Sequence, residues 1–106
     1  IDYQPDESGW ARALQLHPDG SADVTRQRMP ALNHGMVWIS RTPEHDALGF
    51  EPATAGVEGY SAEKRKGHVR LLKGGETFRG EMQAGYLSAA EAQVEVERIR
   101  AQLGQI

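Results

Sequence analysis

The stretch MVWISRTPEHDALGFEPAT, residues 36–54, contains two apolar segments separated by a polar turn. The first segment, residues 36–39, is continuous, β-branched and aromatic, which favours a strand covered on both faces. The second segment, residues 47–54, alternates between larger side chains and small or polar ones, which is the period of a strand with two unlike faces. The stretch therefore predicts two strands joined by the turn at residues 42–46.

The second of these strands carries a single carboxylate, Glu51. Alternation places Leu48 and Phe50 on one face and Gly49 and Glu51 on the other. Pro52 has no backbone N–H to donate, so the strand is expected to end there. Glu51 therefore points away from Phe50.

Further strand patterns lie on both sides of this stretch. Residues 10–16 alternate, and the turn His17-Pro18-Asp19-Gly20 leads into residues 22–26, which predicts a hairpin. Residues 77–86 alternate most regularly, with Met82 and Tyr86 on the expected core face. With a short strand at residues 69–72 added, at most six strands are predicted, and residues 54–67 are interpreted as a surface loop.

The C-terminal segment has the signature of an amphipathic helix. Ser88 and Glu91 have the spacing of a capping box, and Gly104 is a natural stop. Apolar residues recur between them at helical spacing: Ala89, Ala92, Val96, Ile99 and Leu103. The fold class predicted is mainly β, a portion of an antiparallel β-sandwich with one C-terminal amphipathic helix at about residues 89–103.

The chain length sets the domain organisation. A chain of 106 residues supports one domain, and six strands are few for closing a sandwich. The chain also starts at Ile1 within a polar stretch. We expect residues 1–106 to be a single domain, or a C-terminal fragment or subunit of a larger β-sandwich, with another polypeptide or a second copy covering the open sheet edges.

Composition argues against several classes of function. The net charge of −3 gives no general attraction to nucleic acid or to anionic membranes. The absence of cysteine excludes disulfides, thiolate zinc sites and a cysteine nucleophile, and it fits a cytoplasmic protein. The longest apolar run, residues 36–39, is far too short to span a membrane.

Glu51 is the leading catalytic candidate. A carboxylate flanked by Phe50 and Pro52 would, if buried, retain its proton more readily, and this suits general-base chemistry near neutral pH. The alternative is an exposed glutamate on the solvent-facing side of the strand. No two histidines have the i, i+4 spacing of a helix or the alternating spacing of a strand, so the sequence does not predict a metal site. It also contains no glycine-rich phosphate loop and no nucleophile motif. No cofactor is therefore expected.

Five other residues are candidates for ligand binding. His34 directly precedes the Trp38 strand, and His45 precedes the Glu51 strand. Trp38 and Tyr60 offer aromatic faces to a sugar ring, although a tryptophan inside an apolar run is more often a core residue, which makes Tyr60 the better candidate. Arg65 belongs to a basic cluster that could contact a phosphate or carboxylate of a ligand, or could simply be solvated: Lys64, Arg65, Lys66, His68, Arg70 and Lys73.

The order of these features over residues 36–86 resembles the C-terminal portion of galactose-mutarotase-like proteins, and most of all their aldose 1-epimerase-related branch. The matching features are the tryptophan strand, the segment LGFEPAT, a glycine-rich loop, the turn Lys73-Gly74-Gly75-Glu76 and the alternating closing strand. The resemblance implies a large antiparallel sandwich that binds a sugar in a concave sheet.

The resemblance also implies roles for particular residues. Glu51 matches the general base that takes the proton of the anomeric hydroxyl. The histidine that serves as acid in this family would lie upstream of Ile1. Where galactose mutarotases carry a glutamine-containing stretch, this chain has Pro52-Ala53-Thr54, a departure that bears on sugar specificity and on mutarotation itself.

Three functions remain open from the sequence. The first is part of a mutarotase-like enzyme acting on a sugar by general acid/base chemistry. The second is a non-catalytic carbohydrate-binding or regulatory β-domain. The third is a structural subunit whose C-terminal helix docks a partner.

Overall fold

The computed structural model of the chain describes residues 3–104. Five strands and two helices follow one another along these residues: β1 (Trp10–Leu16), β2 (Ala22–Arg28), β3 (His34–Arg41), β4 (Asp46–Ala53), α1 (Tyr60–Arg65), β5 (Met82–Leu87) and α2 (Ala89–Gln102). The strands form two antiparallel sheets, one of order β1-β2-β5 and one of β3 and β4. The predicted mainly β class with a C-terminal helix is confirmed.

The first sheet is built on the predicted hairpin. Its turn is closed by two backbone bonds, from the N–H of His17 to the carbonyl of Ser21 at 2.8 Å and from the N–H of Gly20 to the carbonyl of His17 at 2.9 Å. Gly20 has φ +89°, a conformation that glycine adopts without steric cost. The register pairs Trp10 with Arg28. β5 then adds antiparallel to the other side of β2.

The second sheet is the β3–β4 hairpin. Its register runs from His34 opposite Ala53 to Arg41 opposite Asp46. At the turn, the Thr42 hydroxyl donates to the carbonyl of His45 at 2.6 Å and accepts from its N–H at 3.0 Å. β4 continues through Pro52, so the prediction that proline ends the strand is wrong. Each strand of a two-stranded sheet has a free edge, where a missing N–H is tolerated.

Helix α2 begins and ends where the sequence predicts. The N–H of Glu91 donates to the Ser88 hydroxyl and the Glu91 carboxylate accepts from the N–H of Ser88, which completes the capping box. Gly104 follows with φ +67°. Within residues 3–104, neither helix combines the length and the apolar character needed to cross a membrane.

The helix is held against the first sheet by a buried charge. Glu95 is 3% exposed and forms ion pairs with Arg12 of β1, at 2.9 Å, and with Arg26 of β2. The register places Arg12, Arg26 and Gln83 in one row across the three strands. Because alternation puts a cross-strand row on one face, this face of the sheet is the one that α2 covers.

The buried apolar core is small. The buried hydrophobic residues among residues 3–104 are Ala11, Ala22, Val24 and Ala92. The chain exposes 7605 Å², whereas a compact monomer of its mass, 11.7 kDa, is expected to expose about 5,900 Å². Its radius of gyration is 15.9 Å, against about 13 Å for a compact domain of 100 residues. The described chain therefore leaves much apolar surface uncovered.

Two predictions of burial are wrong. Trp38 and Ile39 are 51% and 56% exposed, so β3 is not covered on both faces. Met82 and Tyr86 are 52% and 65% exposed, although their alternation placed them on a core face. The period of a strand defines its two faces, but burial requires a second layer, which the described residues do not supply on these faces.

Predicted boundaries also differ from the structure in the second half of the chain. Residues 69–72 form no strand, and the closing strand is shorter than the predicted residues 77–86, so five strands form instead of six. Strand pattern alone does not supply the neighbouring strand that ladder hydrogen bonds require. The predicted loop at residues 54–67 contains α1 and the buried carboxylate of Glu63.

Candidate functional site

One face of the β3–β4 hairpin brings three predicted site residues together. Glu51 lies opposite Met36, while His34 lies opposite Ala53 and Trp38 opposite Gly49. His34 and Trp38 are therefore the two diagonal neighbours of Glu51 on the same face, each about 7–8 Å away. The register thus places a carboxylate, an imidazole and an indole side by side.

This face is open to solvent. Glu51 is exposed, and within residues 3–104 its carboxylate takes part in no hydrogen bond or ion pair. Of the two positions expected from the sequence, Glu51 occupies the exposed one, on the solvent-facing side of its strand. Trp38 has half of its surface exposed beside it. Glu51 and Trp38 therefore offer a ligand a carboxylate without a protein partner and an apolar ring face.

His34 is fixed in place by its neighbours. Its Nδ1 lies 2.8 Å from Oδ1 of Asn33, an acceptor, so Nδ1 carries the proton. Its ring lies against the ring of His68, with centroids 4.5 Å apart and planes inclined by 50°. Within residues 3–104 the Nε2 atom of His34 has no hydrogen-bond partner, and it can accept in the neutral ring or donate in the protonated ring.

His68 is oriented in turn by a buried carboxylate. Its Nδ1 lies 2.7 Å from Oε1 of Glu63, which is 3% exposed. Glu63 also accepts the N–H of Gly56 at 2.7 Å and the N–H of Glu58 at 3.4 Å. The hydrogen bond from His68, followed by these backbone donors and the Lys66 ammonium, lowers the pKa of Glu63 to about 2.

Sequence reasoning missed Glu63, and it named His68 only as a member of the basic cluster, without predicting that the two side chains meet. Glu63 opens the charged run Glu63-Lys64-Arg65-Lys66, which is typical of a solvated surface, and His68 looks like a loop histidine. No periodicity marks either residue. Their contact forms because α1 ends at Arg65 and Gly67, with φ +78°, turns the chain back toward Glu63.

Two clefts flank the tilted pair of imidazoles, His34 and His68. One, of about 300 Å³, is lined by Asn33, His34, Thr54, Gly67, His68, Val69 and Arg70. The other, of about 350 Å³, is lined by His34, Gly35, Gly56, Val57, Glu58, Glu63, Lys66 and His68. Two open spaces of ligand size therefore meet at His34.

The remaining predicted residues lie elsewhere. His45 is in the turn of the hairpin, before a strand segment from Asp46 to Glu51 that is itself about 17 Å long. Tyr60 begins α1 and is exposed, with the Lys64 ammonium 5.9 Å from its ring centroid. Arg65 is exposed at the end of α1. None of the three lines either cleft beside His34.

No metal centre is formed by the described part of the chain. Among residues 3–104, no three or more histidine, aspartate or glutamate side chains come together in a way that could hold a metal ion. Comparison of the chain with protein-family models, with curated proteins and with solved structures gave no match. The geometry of the site is therefore the basis for assigning a function.

Proposed function

We propose that this chain is the C-terminal portion of a galactose-mutarotase-like, cytoplasmic carbohydrate enzyme that interconverts the anomers of an aldose. The observation that carries the proposal is the register of the β3–β4 hairpin, which puts Glu51 between His34 and Trp38 on one open face. A carboxylate can act as a general base, an imidazole can hydrogen-bond a sugar hydroxyl, and an aromatic ring can contact the apolar face of a sugar.

The chemistry assigned to Glu51 is the removal of the anomeric hydroxyl proton. As that proton passes to Glu51, the bond from C1 to the ring oxygen breaks, a carbonyl forms at C1, and the ring oxygen takes a proton from a general acid. Reclosure on the other face of C1 returns both protons. Trp38 supplies apolar contact for the sugar ring, and the general acid is expected from the rest of the sandwich.

The proposal includes a second layer of protein. The excess exposed surface and the uncovered apolar side chains Trp38, Met82 and Tyr86 support it, because a β-sandwich buries such faces between two sheets. The second layer is another polypeptide, or a second copy of this chain. Native mass spectrometry of the purified protein, together with identification of any co-purifying chain, tests it. A stable monomer of 106 residues would count against it.

The catalytic role of Glu51 is tested in the complete protein with Glu51→Gln. We expect anomer exchange, followed by NMR or polarimetry over a panel of aldoses, to fall by about 100-fold or more. Glu44→Gln is the matched control, since Glu44 is an exposed carboxylate in the turn of the same hairpin. Full activity of Glu51→Gln would exclude the catalytic role.

A second candidate function is supported by the open position of Glu51. A carboxylate without any charged partner can accept hydrogen bonds from sugar hydroxyls without turning the sugar over, as in a carbohydrate-binding or regulatory domain. In that case calorimetry detects aldose binding that Glu51→Gln weakens, while neither form accelerates exchange. A structural subunit binds no aldose at all.

A further inference from the structure

We propose that the cleft lined by Asn33, His34, Thr54, His68 and Arg70, here called the anion cleft, binds the negatively charged substituent of an acidic sugar. The ligand class is an aldose that carries a carboxylate, sulfonate or phosphate. The inference rests on the proposed function, because it assigns the remainder of the sugar whose anomeric centre meets Glu51.

The lining of the anion cleft contains a guanidinium and no carboxylate. The side chains able to donate are the Asn33 amide, the Thr54 hydroxyl and the Arg70 guanidinium. The Nδ1 atoms of His34 and His68 are engaged by Asn33 and Glu63, so the two imidazoles donate to an anion only through Nε2 and only when protonated. Gly67 and Val69 complete the wall. An anion can accept from such a set, whereas a neutral sugar would leave the guanidinium charge without a counter-charge.

Arg70 is held at the cleft with its charge available. Its guanidinium carbon lies 4.7 Å from the centroid of the Phe78 ring, and Nη2 lies 3.5 Å from the carbonyl of Ala31. Within residues 3–104 it forms no ion pair with a carboxylate. A guanidinium that packs on an aromatic ring can still donate hydrogen bonds from its N–H groups to a planar or tetrahedral oxyanion.

The nearest buried negative charge is already engaged on the other side of the imidazoles. Glu63 lines the second cleft, and its oxygens accept from Gly56, Glu58, His68 and Lys66. Lys66 in turn pairs with Glu58 at 2.9 Å. The anion cleft is therefore separated from these carboxylates by the rings of His34 and His68.

The anion cleft is placed correctly for a sugar bound at Glu51. His34 belongs to the cleft and is also the diagonal neighbour of Glu51, about 7–8 Å away on the same face. Thr54, the residue after the end of β4, also lines the cleft. A pyranose bridges this separation with its anomeric carbon at the carboxylate and its charged exocyclic group in the cleft.

The test compares ligands and variants in the complete protein by calorimetry and anomer-exchange NMR. The probes are glucose, glucuronate and glucose 6-phosphate, with galactose and galacturonate as a second pair. We expect the acidic sugars to bind at least about tenfold more tightly than the neutral ones, and Arg70→Gln to remove that preference. Arg70→Lys should retain part of it, and Arg79→Gln, a change at an exposed arginine outside the cleft, should retain all of it.

The outcomes separate this inference from the proposed function. Equal binding and exchange of neutral and acidic sugars overturns the anion cleft but leaves the Glu51 chemistry intact. A preference for acidic sugars that survives both Arg70→Gln and His68→Gln, with folding verified by circular dichroism, also overturns it. A protein that neither binds nor exchanges any aldose of the panel overturns the proposed function, and the anion cleft with it.

Discussion

The Nδ1 atom of His68 lies 2.7 Å from the Oε1 atom of Glu63, a carboxylate that is almost fully buried. Because the His68 ring also lies against His34, this contact ties the segment after β4 to the first residue of β3. A hydrogen bond between a residue of α1 and a residue of the loop that follows thus fixes the wall of the anion cleft. The same contact makes that wall sensitive to acid.

The first prediction concerns acid stability and Glu63. Its pKa is lowered from 4.5 to about 2 in the folded chain, so the ionised carboxylate stabilises the fold above pH 4.5. This contribution is lost as the pH falls from about 4.5 to about 2. Glu63→Gln should be less stable than the natural chain at pH 7, and the difference should shrink across that window.

Urea denaturation at a series of pH values measures this difference. Glu44→Gln, at an exposed carboxylate in the β3–β4 turn, is the control and should follow the natural chain. Parallel curves for Glu63→Gln and the natural chain from pH 7 to pH 2 would show that Glu63 does not stabilise the fold through its charge.

The second prediction concerns the docking of α2. Replacing Glu95 by glutamine leaves Arg26 without a carboxylate partner, while Arg12, whose side chain is 8% exposed, keeps only its ion pair with Asp6 at 2.7 Å. Removing one partner of a buried ion pair costs about 3–5 kcal/mol. Because Asp6 still neutralises Arg12 and the Arg26 side chain is partly exposed, urea unfolding should show a loss at the lower end of this range, about 3 kcal/mol, for Glu95→Gln. Glu97→Gln, at an exposed position on the same helix, should stay within about 0.5 kcal/mol; equal losses for the two variants would contradict a special role for Glu95.

The third prediction uses the two tryptophans as reporters. Trp10 is covered in part by Arg28, whose guanidinium carbon lies 5.3 Å from its ring centroid, whereas Trp38 is open beside Glu51. Binding of an aldose should change the fluorescence of Trp38. Trp10→Phe should keep the ligand-dependent change and Trp38→Phe should lose it. The reverse result would place the sugar away from the β3–β4 face.

The fourth prediction concerns the start of α2. The Ser88 hydroxyl accepts the N–H of Glu91 at 3.3 Å, so Ser88→Ala leaves a helix N-terminal donor without its partner. The expected loss is about 1 kcal/mol in chemical unfolding. Ser61→Ala, in α1, is the control because no side-chain cap is formed there. A loss no larger than that of the control would mean that the cap does not stabilise α2.

Local sequence signals determined the elements whose energetics are local. The turn at residues 17–20, the capping box of Ser88 and Glu91, and the stop at Gly104 were all predictable, because each depends on the conformational preferences and hydrogen bonds of a few neighbouring residues. The alternation of β4 also determined that Glu51 points away from Phe50.

Tertiary structure decided which faces are covered and which side chains meet. Met82 and Tyr86 follow the strand period yet remain exposed, since burial depends on a layer contributed by distant residues. The ion pairs of Glu95 and the contact between Glu63 and His68 join residues whose proximity no pattern encodes. For Glu51 the sequence by itself determined the residue and its face. The pairing of β3 with β4 decided that His34 and Trp38 are its neighbours, because strand register is set by contacts across the sheet and not by the period along one strand.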